Sequence, residues 1–223
     1  MVIDGTAYIS DVFVAPQQTA EFGTLNVVTG AFTPLPTNPK LNSLANPGMA
    51  PDVDKHLMYF INSEDVPFLG TLKPDGSISF IGSTPSFYGD IAFDNVNDVL
   101  YAVNPFGQQP TLVTLSTQNA AQTVIGPLGI SVGLDYDMEY DETTGTLYLN
   151  NGGTGNLYTL NKSTGAASLV GPNFPGARAG PIIDAIAFDR PTTFIPVPPA
   201  VWTGAITMAG LAAAGAVRRR RRA

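Results

Sequence analysis

An Asp followed seven residues later by a Tyr occurs three times at regular intervals: Asp52 and Tyr59, Asp94 and Tyr101, Asp141 and Tyr148. Each Tyr is preceded by an apolar residue (Met58, Leu100, Leu147) and followed shortly by an Asn (Asn62, Asn104, Asn150). The Asp residues close short alternating segments, DIAFD at 90–94 and DMEYD at 137–141, and a further copy, AIAFD, stands at 185–189. Successive copies lie 42, 47 and 48 residues apart, from Asp52 to Asp94, Asp141 and Asp189. A Thr-Leu pair recurs at 24–25, 71–72, 114–115 and 159–160, and Ile81-Gly82, Ile125-Gly126 and Val170-Gly171 end the last strand of each unit. The turns between are built from Gly, Asn, Asp, Ser and Thr, which stabilise tight reversals. Few stretches hold a helical period for more than two turns. A period of 40–50 residues with four short strands is one sheet of a radial array, and such a sheet must bury both faces against neighbours.

The expected fold is therefore all-β, a β-propeller of about four blades over residues 1–190. The first repeat reads as strands at 6–13, 23–28 and 31–35 with no DIAFD-type strand before them. The orphan strand 184–189 is expected to join that repeat and close the ring, removing an open edge. Met1–Pro16 has no basic start and is interrupted by Asp4 and Asp11, so it reads as a strand inside the fold and not as a leader; a leader, if the chain is exported, is expected upstream.

Each repeated Asp is expected to accept hydrogen bonds from the turn that follows it. Phe93, Tyr140 and Phe188 should lie between sheets, and Tyr59, Tyr101 and Tyr148 should pack in the second strand with a partner for each hydroxyl. Catalytic signals are absent: there is no cysteine, one histidine (His56, in a turn), and no HExxH, GxSxG or P-loop pattern. No enzyme activity and no cofactor are expected. Acidic residues gather at Asp52/Asp54, Glu64/Asp65, Asp94/Asp98 and along 135–142, where Asp135, Asp137, Glu139 and Asp141 alternate onto one face. Calcium is the one ion such a face could suit, although no DxDxDG loop is present. Phe87, Tyr88, Phe106 and Phe174 are expected at exposed loops, where aromatics either cap the sheets or grip a sugar or a partner protein.

The net charge of −7 conceals two regions. Without Arg218–Arg222, six basic residues face 18 acidic ones, a balance of −12 that repels phosphate backbones and excludes nucleic acid as a partner. Beyond Arg190 the composition changes: a Pro-rich linker at 191–199, an uncharged stretch at 200–217 long enough to span a bilayer as a helix, and a basic end at 218–223. The positive-inside bias leaves the arginines cytoplasmic and the acidic domain outside.

This order of parts resembles the PEP-CTERM sorting signals that exosortase-type membrane proteases process. Here Val197, Pro198, Pro199, Ala200 and Trp202 match the proline motif, though no Glu lies between the prolines, and Arg218, Arg219, Arg220, Arg221 and Arg222 form the basic stop. The repeats resemble the degenerate propeller repeats of secreted bacterial proteins. The resemblances imply an exported module, held at the inner membrane by residues 200–217 until an exosortase-like protease releases it to the cell surface or extracellular matrix, and there a binding or structural protein for polysaccharide or a surface protein. A secreted polysaccharide hydrolase or lyase on a propeller scaffold is the alternative.

Overall fold

A computed structural model describes residues 2–3, 6–14, 19–26, 28–35, 48–62, 66–133 and 135–172, with side chains from residue 23 onward. All lie in the compact unit Met1–Phe188. Among the described residues, sixteen strands form four antiparallel four-stranded sheets, each in chain order. The first holds β1 (Val2–Ile3), β2 (Thr6–Val14), β3 (Thr19–Leu25) and β4 (Phe32–Pro34). The second holds β5 (Gly48–Asp52), β6 (Leu57–Asn62), β7 (Phe68–Leu72) and β8 (Ile78–Ser83). The third holds β9 (Ile91–Asp94), β10 (Val99–Asn104), β11 (Thr111–Leu115) and β12 (Gln122–Pro127). The fourth holds β13 (Tyr136–Asp141), β14 (Thr146–Asn151), β15 (Asn156–Leu160) and β16 (Ala167–Pro172).

The repeated Thr-Leu pair has a register meaning. Tyr59 lies opposite Thr71, Tyr101 opposite Thr114 and Tyr148 opposite Thr159. The same register places Tyr8 opposite Thr24, so the first repeat carries a fourth copy of the Tyr that its sequence context hides. In each of the last three sheets the outermost pairing shifts register at the same place, between Leu69/Gly70, Leu112/Val113 and Leu157/Tyr158.

Side chains of the third sheet divide by parity, as neighbours on a strand point to opposite faces. Ile91, Phe93, Leu100 and Ala102 face the second sheet, where they meet Ala50, Tyr59, Ile61 and Leu69. Ala92, Tyr101, Val103 and Leu112 face the fourth, against Tyr136, Met138, Tyr140, Leu147 and Leu149. Both faces are thus core, which is why β9 is buried at every residue. The expected positions of Phe93 and Tyr140 between sheets hold, and the Tyr59 and Phe93 rings lie 5.0 Å apart across the second interface. Met58, Phe60 and Leu72 on the second sheet's other face pack with Leu35 of the first repeat.

The recurrent Gly after Ile seats the neighbouring sheet. A Cβ on Gly82 would lie 2.5 Å from the Asn119 carbonyl oxygen, and one on Gly126 would fall on the Thr164 carbonyl oxygen. Asn119 and Thr164 are in the last turns of the third and fourth sheets, so each outer strand receives the next sheet's turn at a glycine. Nothing lies within 4 Å of the equivalent point on Gly171.

One expectation changes in the first repeat. Val28 belongs to a turn and not to a strand, because the Asn26 side chain accepts from the Val28 and Thr29 amides and fixes the reversal. At the start of β2, Thr6 and Ala7 pair with β1 (Val2↔Ala7, Ile3↔Thr6). Strand 184–189, Phe188 and ring closure through them lie outside the described residues. So do Glu64, Asp65, Phe174, the linker 191–199, the sorting motif, the stretch 200–217 and the arginines. Among the described residues no helix is long and apolar enough to cross a membrane.

Candidate functional site

Antiparallel order puts the turns after β5, β9 and β13 at one end of the sheets. Here the repeated Asp residues act as expected. Asp52 accepts from the Lys55 amide (2.9 Å), Asp94 from the Val96 and Asn97 amides (3.1 and 3.0 Å), and Asp141 from the Thr143 amide (2.9 Å) and the Thr144 hydroxyl (2.6 Å). The fourth residue after each Asp takes a left-handed backbone: His56 (φ 51°), Asp98 (φ 56°) and Gly145 (φ 68°). That accounts for the lone histidine as a turn residue.

Lysines tie neighbouring sheets together at this end. Lys55 Nζ reaches Asp52 Oδ2 (2.9 Å) and, on the next sheet, Asp98 Oδ1 (2.7 Å); it also lies over the Phe93 ring. These two carboxylates, Asp98 foremost, raise the ammonium pKa. Lys162 donates to the Tyr140 hydroxyl (2.9 Å) and stands 3.7 Å from Asp94 of the preceding sheet. Burial pushes the Asp94 carboxyl up, but the Asn97 side chain, the Tyr140 hydroxyl, the Asn97 amide and Lys162 outweigh it and hold the pKa below the usual range. These carboxylates and lysines hold turns or join two sheets.

The opposite end is different. Gly48, Asp90 and Asp137 occupy equivalent positions, four residues before Asp52, Asp94 and Asp141. Asp90 is buried, and its Oδ2 accepts from the Met138 amide of the fourth sheet (2.8 Å). Burial foremost, then the neighbouring Asp137 carboxylate, push its pKa well above the usual carboxylate range. A Cβ on Gly48 would lie 2.5 Å from both Cα and Oδ1 of Asp90, so glycine is required where the second sheet's inner strand meets this acid. Tyr136, the residue before Asp137, accepts from the Gly89 amide (3.0 Å) and donates to the Val103 carbonyl (2.8 Å). Its hydroxyl and the Asp90 carboxyl make one buried junction between the third and fourth sheets.

Beside this junction are the loops 84–90 and 105–110. Asn104, at the end of β10, accepts from the Phe106 amide (3.0 Å) and from the Ser86 hydroxyl (3.1 Å), bracing one loop on the other. Phe106 packs edge-on against Phe87 (ring centroids 6.4 Å apart), yet half of its surface is exposed (50%). The exposed Gln108 and Gln109 follow it in the same loop. Tyr88, expected at the surface, is instead completely buried (0%) in the core between the second and third sheets, with its hydroxyl paired to the Gln122 side-chain oxygen.

The acids of 135–142 do not assemble as a metal site. Tyr136, Met138 and Tyr140 alternate into the core and Asp137 and Glu139 to the other face, as the pattern implied. However, Asp137 is engaged with Asp90 and Asp141 with its own turn. Among the described residues no three His, Cys, Asp or Glu side chains are placed to hold an ion.

No protein-family model and no curated protein sequence matches the chain. Solved structures do. The nidogen/laminin complex superposes with TM-score 0.53 at 19% identity, over 69% of this chain and 55% of the matched one. TolB from Acinetobacter baumannii superposes with TM-score 0.52 at 13% identity, over 74% and 41%. XC5397, a gluconolactonase from Xanthomonas campestris, gives TM-score 0.50 at 17% identity, over 76% and 64%. The architecture is that of a β-propeller. The chain spans from about two-fifths to just under two-thirds of the structures it matches. At these identities the likeness concerns the propeller fold alone.

Proposed function

We propose that the chain is an exported, non-catalytic propeller module of the cell surface or extracellular matrix that recognises polysaccharide or a surface protein through the loops 84–90 and 105–110. The observation that carries this reading is Phe106. A large apolar side chain held half in water costs free energy, and a fixed aromatic flanked by amide side chains suits stacking on a sugar ring or insertion into a partner. Other large exposed side chains include Val124 and Leu169 on outer strands and Phe80, whose ring packs against Phe68 of its own sheet. A propeller-fold neighbour, nidogen, is solved in complex with laminin, which supports protein recognition as a use of this architecture.

A polysaccharide hydrolase would draw on Asp90 and Asp137, the acids at this end of the sheets. Asp90 is buried, with its carboxyl turned to the Met138 amide, where a glycosidic oxygen does not reach it. This favours the binding reading over the enzymatic one.

The tail supplies the route. Its proline motif, uncharged stretch and arginines are read as a substrate for an exosortase-like protease, with the membrane a transient partner. The binding face is tested with the extracellular polysaccharide and surface-protein fractions of the producing cells. Wild-type chain is expected to be retained by one of them, and Phe106→Ala to bind it at least about tenfold more weakly, the loss of roughly 1.4 kcal/mol, with an unchanged melting temperature. Equal retention of both chains, or retention by neither fraction, would remove the proposal.

A further inference from the structure

We propose that two copies of this chain join head to tail, the outer strand β16 of each receiving the 26–31 turn of the other. The contact between the third and fourth sheets supplies the pattern. There the turn 161–166, NKSTGA, sits on Ile125, Gly126 and Pro127 of β12, so close that a Cβ on Gly126 would fall on the Thr164 carbonyl oxygen. Beside it the Ala167 amide donates to the Leu128 carbonyl (2.9 Å), tying the two sheets through backbone. Ile125 packs on the core that these sheets share. The second and third sheets repeat the contact with Ile81, Gly82 and the Asn119 carbonyl.

Both halves of this interlock occur once more, and both are exposed. The first sheet carries NVVTGA at 26–31, folded as 161–166 is. Asn26 accepts from the Val28 and Thr29 amides (both 3.0 Å), as Asn161 does from those of Ser163 and Thr164 (2.9 and 3.0 Å). The Gly30 amide donates to the Asn26 carbonyl (2.7 Å) and the Gly165 amide to that of Asn161 (2.8 Å). Both glycines are left-handed, at φ 70° and 80°. The fourth sheet carries the matching seat, Val170, Gly171 and Pro172. Yet Val28 is 90% exposed and Val170 57%, whereas Ile125, the counterpart of Val170, is partly buried.

A turn and the seat that fits it, both left in water by one chain, are satisfied across two. The first sheet packs on the second, the second on the third and the third on the fourth, so turn and seat belong to opposite ends of the series. Joining unlike ends is a heterologous contact, which stops at a ring only if its rotation closes. Two copies of four sheets make eight, within the roughly four to eight blades that propellers take. Such a ring fills the seat of each copy and takes Val170 out of water, which favours association.

The test is the mass of the full-length chain in mild detergent, by sedimentation equilibrium across a dilution series. Wild type is expected to pass from one copy to two as concentration rises. Val170→Asp puts a charge in the seat and Gly171→Val fills the space of the incoming carbonyl. Each is expected to raise the dissociation constant at least about tenfold. Gly171→Val meets none of the described residues of its own chain, so at a dilution where wild type is dissociated their urea midpoints should agree. Leu169→Asp changes a position that is exposed in the other repeats too, as Phe80 and Val124, and should pair as wild type does. A single copy at every concentration, with the seat filled from within the chain or left open, would overturn the proposal. So would an assembly larger than two, an equal loss in Leu169→Asp, or seat variants that pair as tightly as wild type and so place the contact elsewhere, residues 200–217 included.

Discussion

His56 and Asp98 hold backbone angles that L-residues adopt only at a cost, because Cβ crowds the adjacent carbonyl. The third copy of this turn has Gly145 at the same place, showing what the geometry prefers. His56→Gly is accordingly expected to stabilise the chain by about 1 kcal/mol, within the range of left-handed residue relief, read as a higher urea midpoint with unchanged slope. A lower midpoint would mean that the His56 side chain contributes more than its backbone costs. At this scale the sequence was informative about the Asp residues, since a strand-ending Asp has a local task that its own turn completes. It was silent about their lysine partners, because Lys162 reaches Asp94 from another sheet and no local spacing encodes that. The Asp90–Met138 contact was hidden for the same reason. Tyr88 misled because its Ser, Pro and Gly neighbours mark a loop, while its ring is held in the core by Ile91 and the residues around it.

Between elements, the Ile-Gly repeat is where one sheet receives the next. Gly126→Val would drive a side chain into the Thr164 carbonyl, whereas Gly171→Val meets nothing within 4 Å among the described residues. Overpacking against backbone predicts a loss of about 1–3 kcal/mol for the first substitution, and under about 0.5 kcal/mol for the second, as for an open surface site. Paired chemical unfolding curves measure the contrast; equal losses would contradict the seating of turns on glycine. The strands of the last three repeats were readable because their turns are punctuated by Gly, Asn, Asp and Ser. The first repeat was less so. Val28 continues an apolar run, NVV, and only the Asn26 side chain turns it out of the strand.

For the whole molecule, the 40–50-residue period was enough to foresee side-by-side sheets, since a four-stranded unit with two apolar faces has no other way to bury both. The number of blades in a closed ring was not legible, because closure depends on how the first and last units meet rather than on anything repeated within a unit. The proposed recognition face was legible only in part: Phe106 stood out as a loop aromatic, but the bracing of its loop on Ser86 through Asn104 is a tertiary fact. The functional account joins that face to a tail read as a removable anchor. Its central claim is that cells carry the propeller outward and cut it free. The intact mass of the chain recovered from the cell surface and medium tests this most directly: the account predicts a product lacking the uncharged stretch and Arg218–Arg222, and a surface product that still ends in the arginines, or a chain found only inside the cell, would contradict it.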